Sequence, residues 1–271
     1  MLVHVLPVIF AVFVWWFGTA LVFLLDQLPA RSFRWTMGGA TLVLAGALYG
    51  VQALAQDTSV GAAYLGFGFG VLVWAWAEIG LLTGLITGPS SKPCPPGAEG
   101  WTRFVAALQT ILHHELAILA LGGVLAVMLW GADNQVALHT YVVLYVMRQS
   151  AKLNIYFGAR NLGESMLPPH LQHLASYFRK RTMNAVFPVS ITGGTIAAVL
   201  LLQQGLAGDP FAATAYTLLA ALMALAVIEH WFLMLPLPLD GLWTWSRPGQ
   251  PQATPTACPQ HAEAARLPLR P

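Results

Sequence analysis

Long apolar runs alternate with short polar segments along this chain. Seven runs are long enough for a transmembrane helix, which needs about 20 mostly apolar residues. They are Leu2–Leu25, Thr36–Leu54, Val60–Thr87, Phe104–Trp130, Val136–Phe157, Met183–Leu206 and Phe211–Leu235. Backbone in lipid must satisfy its own hydrogen bonds, so each run is predicted to be a helix. We therefore predict an all-α integral membrane protein, a bundle of about seven transmembrane helices.

The composition supports this architecture and excludes several others. Of the 271 residues, 57% are hydrophobic and only 9% are charged, against about 25% charged residues in a typical soluble domain. An ordinary soluble enzyme, a disordered chain and a disulfide scaffold are excluded. The net charge of +2 gives no reason to expect nucleic acid as a partner.

Basic residues follow alternate apolar runs. Apart from Arg148 and Lys152, every Lys and Arg follows the first, third, fifth or seventh run. The charged residues of the other connections are all acidic. Short cytoplasmic loops hold the positive excess, which predicts an outer N-terminus and a cytoplasmic C-terminus. Tryptophans are predicted at both membrane interfaces, with Trp35, Trp101, Trp243 and Trp245 on the cytoplasmic side and Trp130 on the outer side.

Two segments on the cytoplasmic side have a different character. Apolar positions recur at helical spacing after Pro168 and Pro169 and end in a basic cluster, which predicts an amphipathic surface helix near residues 168–181. Residues 247–271 are rich in proline and are predicted to form a disordered cytoplasmic tail, so that residues 1–246 make one transmembrane domain. Cys94 and Cys258 fall on this side and are predicted to be reduced thiols.

Ionisable side chains interrupt several predicted helices at membrane depth. They are Glu78, His113, His114, Glu115, Arg148, Lys152, Glu229 and His230. Such residues usually face a bundle interior, and the helical rise places most of them on the order of 8–16 Å from the cytoplasmic ends. His114 and Glu115 are adjacent on one helix, so both side chains can face the same part of the bundle interior. The same holds for Glu229 and His230. Arg148 and Lys152 form one basic face, near which Gln149 and Asn154 can add hydrogen bonds.

Three interpretations of this polar layer stay open. The first is an ion-pair network of the three glutamates with Arg148 and Lys152, in which the histidines are neutral hydrogen-bond partners and Asn154 adds hydrogen bonds nearby. The second is a ligand site, in which His114 or His230 holds a tetrapyrrole pigment or a transition metal is bound. The metal candidates are Glu78, His114, Glu115, Glu229 and His230, although the Glu-x-x-His spacing of di-iron bundles is missing. The third is a proton or ion relay.

Several runs in and near this layer resemble a known family. They are Thr110–Ile118 (TILHHELAI), Met147–Asn154 (MRQSAKLN), Arg160–Leu162 (RNL), Phe187–Ser190 (FPVS), Glu229–Phe232 (EHWF) and Leu235–Pro238 (LPLP). In these runs the sequence is similar to the PuhE family of purple phototrophic bacteria, whose genes accompany that of the reaction-centre H subunit. The resemblance covers about residues 1–246.

The resemblance implies an assembly factor in the inner (intracytoplasmic) membrane. Its partners would be membrane lipid and reaction-centre or light-harvesting subunits, and it would handle bacteriochlorophyll or adjust its supply. The resemblance supplies no catalytic residues. The alternative that the residues leave open is a metal-dependent membrane enzyme, acting on a pigment or its precursor through the Glu/His cluster.

Overall fold

A computed structural model describes residues 2–164 and 167–235 of the protein. In these residues the regular structure is helical, with seven α-helices of more than 20 residues. They are α1 (Leu2–Asp26), α2 (Phe33–Ala53), α3 (Val60–Leu82), α4 (Gly100–Met128), α5 (Val136–Phe157), α6 (Val186–Ala207) and α7 (Pro210–Met234). The predicted tail, Trp243, Trp245 and Cys258 lie outside the described residues.

Each predicted run overlaps one of these helices, so the described part of the chain has the all-α architecture that was predicted. Five helices in the described part of the chain, namely α1, α3, α4, α6 and α7, are long and apolar enough to cross a membrane. That is what an integral membrane protein requires. Helices α2 and α5 are less apolar, and their crossing of the bilayer stays a prediction, as does the orientation of the termini.

Three helices form the centre of the bundle. Helix α3 packs against α1, α2, α4, α5 and α7, while α7 packs against α1, α3, α5 and α6. Helix α5 completes the centre through its contacts with α3, α4, α6 and α7. Small buried residues on α3 permit close approach of the neighbouring helices, and these are Ala62, Ala63, Gly66, Gly70 and Ala77. Because α5 is surrounded by helices, its polar side chains can meet protein rather than lipid.

The connection between α3 and α4 folds back against α4. The apolar run predicts helix as far as Thr87, but α3 ends at Leu82 because Gly84 adopts a left-handed conformation, φ 74°. The Thr87 carbonyl accepts a hydrogen bond from the backbone N–H of His114 at 2.9 Å. Irregular backbone is tolerated within a membrane protein where protein supplies its hydrogen-bond partners, as the N–H of His114 does here. The connection therefore braces α4 beside one of the candidate site residues.

The segment predicted as a surface helix is helical but shorter and tighter than expected. It is a 3-10 helix over Pro169–Tyr177, with Leu171 and Tyr177 buried. The Tyr177 hydroxyl donates to the Lys92 carbonyl at 3.2 Å, and its own carbonyl accepts from the Arg103 guanidinium. The buried side chains thus attach this segment to the α3–α4 connection and the start of α4. Its position on a lipid surface stays a prediction.

Tryptophans stand out at the helix ends. Trp35 near the start of α2 is 83% exposed, Trp101 at the start of α4 is 76% exposed, and Trp130 just after α4 is 88% exposed. Large aromatic side chains with a polar edge favour the boundary between lipid and water. Their exposure agrees with the predicted interfacial belts.

The tight contact of the α3–α4 connection with α4 gives a stability test. A Cβ atom at Gly88 would lie 2.1 Å from the carbonyl oxygen of Gln109, and backbone cannot yield as a flexible side chain can. We expect Gly88→Ala to destabilise the protein by about 1–3 kcal/mol or more. The measurement is thermal unfolding of the purified protein in detergent.

Gly123→Ala is the matched control, because Gly123 lies in α4, the helix against which the connection packs. A Cβ atom at Gly123 meets nothing within 4 Å, and alanine favours helix more than glycine does. Its melting temperature should be unchanged or slightly raised. Equal melting temperatures for the two variants would show that the connection does not pack on α4.

Candidate functional site

A bidentate ion pair joins α3 to α5. Arg148 donates from Nε to Glu78 Oε1 at 3.2 Å and from Nη2 to Glu78 Oε2 at 3.0 Å. The Arg148 side chain is 42% exposed, whereas that of Glu78 is 13% exposed. This two-bond geometry orients the guanidinium as well as neutralising it.

A second ion pair joins α4 to α5 one turn further along. Lys152 Nζ lies 2.5 Å from Glu115 Oε1, and Gln149 Nε2 donates to Glu115 Oε2 at 2.6 Å. Both carboxylate oxygens of Glu115 are therefore occupied by side chains of α5. The two pairs of the ion-pair interpretation, Glu78–Arg148 and Glu115–Lys152, are both present.

His114 lies buried beside these pairs. It is 0% exposed, and both of its ring nitrogens lack a hydrogen-bond partner among the described residues. The charges of all four ion-pair side chains act on its ring. His113 faces the opposite way and is exposed on the outside of α4. As the helical spacing predicts, His114 rather than His113 joins the layer.

Glu229 has a different kind of partner. Its Oε1 accepts a hydrogen bond from the indole Nε1 of Trp15 on α1 at 3.0 Å, and the residue is exposed on the side of α7. The charge of Glu229 acts on the Arg148 guanidinium, but this guanidinium forms its hydrogen bonds with Glu78 instead. The ion-pair interpretation therefore accounts for two glutamates and leaves the third without a cation.

His230 points to the other side of α7 and belongs to a neutral network. Its Nδ1 lies 2.8 Å from the Ala226 carbonyl, which can only accept, so Nδ1 carries the proton. Its Nε2 lies 2.9 Å from Ser150 Oγ on α5. In the neutral imidazole Nε2 is then an acceptor for the Ser150 hydroxyl. Glu229 and His230 thus do not share one sector, contrary to the expectation from their spacing.

The neutral network continues into α6. Ser150 and Ser190 hydroxyls are 2.8 Å apart, and Asn154 Nδ2 donates to Ser190 Oγ at 3.0 Å. Asn184 then donates to Asn154 Oδ1 at 3.1 Å. Its own Oδ1 accepts from backbone N–H groups in the first turn of α6. Sequence reasoning included Asn154 but missed both serines and Asn184, although Ser150 and Asn154 are one helical turn apart.

Trp15 was also missed by sequence reasoning. Nothing in its apolar surroundings distinguishes it from the adjacent Trp16, because only the packing of α1 on α7 brings it to Glu229. Two further side chains that could carry chemistry lie outside the layer. His139 lines a cleft of about 210 Å³ between α5 and α7 with Asp133 and Tyr216. Cys94 is a free thiol whose backbone N–H donates to Ser176 Oγ at 2.8 Å.

The predicted metal ligands do not form a recognisable cluster among the described residues. Across residues 2–164 and 167–235, no three His, Cys, Asp or Glu side chains are grouped closely enough to hold a metal ion. A tetrapyrrole needs an axial nitrogen that is free and reachable. Both nitrogens of His230 are engaged, and His114 is enclosed on all sides. Binding of a metal or a pigment by these residues stays a prediction.

The ion pair between α4 and α5 gives a second test. Glu115→Gln leaves Lys152 without its counter-charge, and Lys152→Met leaves Glu115 as the unpaired group. Breaking a buried pair from one side costs about 3–5 kcal/mol, since one charge stays uncompensated. The double variant removes both charges and should lose much less than the sum of the single losses.

Equilibrium unfolding in mixed detergent measures this cycle. Lys92→Met, in an exposed loop, is the control for loss of a lysine and should unfold like the wild type. Additive losses in the double variant would show that Glu115 and Lys152 do not interact.

Comparison with known proteins gives the family. An "Uncharacterized 30.4 kDa protein in puhA 5'region" of Rhodobacter capsulatus is 37% identical over 243 residues, which is 88% of this chain and 88% of that protein. No solved structure matches the chain. Over residues 1–254 it matches the family described as "Protein of unknown function (DUF3623)". The chain is a member of the DUF3623 family.

Proposed function

We propose that this protein is an integral membrane assembly factor for the photosynthetic reaction centre and its light-harvesting complex, and that it is a PuhE protein. The observation that carries the proposal is the relative from a purple bacterium, whose description places it in the puhA 5' region. That region belongs to a photosynthesis gene cluster. The proposed location is the bacterial inner membrane, where such complexes are built.

The distribution of polar and apolar side chains supports a role through helix contacts. In the most apolar stretches of α1, α4 and α6, only 11–17% of the residues are buried within the bundle. Their outer faces are largely apolar; α6, for example, exposes Val189, Ile196 and Leu200. Transmembrane subunits awaiting assembly have faces of the same kind, and helices associate in lipid through packing of such faces. The outer helices are therefore the proposed contact surface for client subunits.

The resemblance also implies handling of bacteriochlorophyll, and the geometry limits how this could occur. Both ring nitrogens of His230 have hydrogen-bond partners, and His114 is fully buried. We therefore propose that any influence on pigment works through the assembling subunits rather than through a pigment held by these two histidines.

A genetic exchange tests the assembly role. The gene for the Rhodobacter capsulatus relative is deleted and the deletion strain is supplied with this chain. We expect the deletion to lower the near-infrared absorption of the reaction centre and light-harvesting complex per cell, and this chain to restore it. The readout is the absorption spectrum of isolated membranes.

Two variants control for folding of the supplied chain. Gly123→Ala should restore the complexes as well as the wild type does, whereas Gly88→Ala should restore them poorly. Accumulation of a pigment precursor in the deletion strain would favour the alternative, a membrane enzyme acting on pigment. Unchanged complexes in the deletion strain would contradict the assembly proposal.

A further inference from the structure

The polar layer contains more negative than positive groups. Its carboxylates are Glu78, Glu115 and Glu229, and its cations are Arg148 and Lys152. If all five are ionised, the layer carries one uncompensated negative charge. A charged residue near the bilayer centre costs at least about 2.5–3.5 kcal/mol. One additional positive charge, or the loss of one negative charge, would balance the layer.

The uncompensated group is Glu229. The Glu78 carboxylate accepts two hydrogen bonds from Arg148. The Glu115 carboxylate accepts one hydrogen bond from Lys152 and one from Gln149. Among the described residues, Glu229 accepts a hydrogen bond from the neutral indole of Trp15 alone, and it is exposed on the side of the bundle. Lipid cannot replace the hydration of an exposed carboxylate, so the charged form has the weakest support at this position.

Within residues 2–164 and 167–235, the groups around Glu229 offer no free positive charge to compensate its carboxylate. From α5 only Arg148 acts on it, and this guanidinium is already bonded to Glu78 of α3. On α7, His230 turns away from Glu229 towards Ser150, and its Nδ1–H is bonded to the Ala226 carbonyl. Helix α6 has no ionisable residue, and the ionisable residues of α1, His4 and Asp26, lie near its two ends.

A proton on His114 could balance the layer as well, but its surroundings do not support it. A doubly protonated imidazole has two N–H donors, and both nitrogens of His114 are buried without an acceptor among the described residues. A proton on Glu229 leaves Oε1 free to accept from Trp15. The carboxyl group is thus the less costly place for the proton.

We propose that Glu229 is a proton-binding site, whose carboxyl group takes a proton from solvent and holds it as a carboxylic acid at neutral pH. The proton makes the layer electrically neutral. When it leaves, the Glu229 carboxylate competes with Glu78 for Arg148. The site is therefore coupled to the ion pair between α3 and α5.

Infrared spectroscopy of the full-length protein in lipid nanodiscs tests the site directly. A protonated carboxyl group has a C=O stretching band that shifts in D2O, whereas solvent-exposed carboxylates are ionised at neutral pH. We expect this band in the wild type and its loss in Glu229→Gln. Glutamine keeps an oxygen that accepts from Trp15, so the variant should fold. Glu99→Gln, outside the layer, should keep the band.

Two further variants test the cause. In Glu78→Gln the remaining groups are balanced, so Glu229 should ionise beside the released Arg148 and the band should be lost. In Trp15→Phe the carbonyl loses its donor, so the band should move to higher frequency.

Three results would overturn the proposal. The first is a wild-type spectrum without the band at neutral pH, and the second is a band that persists in Glu229→Gln. The third is a doubly protonated His114 in nitrogen NMR spectra, assigned by its loss in His114→Gln. A band that survives in Glu78→Gln would show that charge balance is not the reason for protonation.

Discussion

Two positive charges on one helix have to be held inside the bundle, and the packing of its neighbours meets that requirement. Arg148 and Lys152 lie one turn apart on α5, and each meets a carboxylate from a different neighbour, α3 or α4. An uncompensated charge would cost several kcal/mol in such surroundings. Helix α5 is therefore stable only between these two partners, which accounts for its central place despite its low apolar content.

The opposite side of α5 is polar in another way. Ser150 and Asn154 are offset by two residues, about 200° around the helix, from Arg148 and Lys152. They face α6 and α7 and take part in a network of hydroxyl, amide and imidazole groups. One helix thus joins its neighbours through charges on one side and through neutral hydrogen bonds on the other. The second type adds no net charge, and such contacts commonly join helices in lipid.

The outer surface of the bundle is largely apolar, whereas the ion-paired side chains face its interior. This division bears on function. A soluble enzyme would place its reactive groups beside an aqueous cleft, whereas here the ion-paired groups bind one another and the outer helices present apolar side chains to lipid or to other membrane proteins. Glu229 is the exception, because it combines membrane depth, exposure and a single neutral partner. A group with those three properties can exchange a proton without breaking an ion pair first.

Much of the fold follows from the sequence alone. An apolar run of about 20 residues in lipid has helix as its only way to satisfy the backbone, and the prediction for α5 has the same bounds as the structure. The polar layer was also predictable, because the helical rise converts sequence position into depth. Predicting that Arg148 and Lys152 pair with glutamates required only that groups of opposite charge have similar depth along their helices.

The tertiary structure decided which way each helix turns and which partner each side chain meets. Trp15 and Glu229 are 214 residues apart, and Ser150 and His230 are 80 apart. Contacts at such distances depend on which helix faces pack together. Spacing within one helix therefore could not show that Glu229 and His230 separate, or that His114 stays without a hydrogen bond. Local chain chemistry determined the helices and their depth, whereas the packing of several helices at once determined the partners.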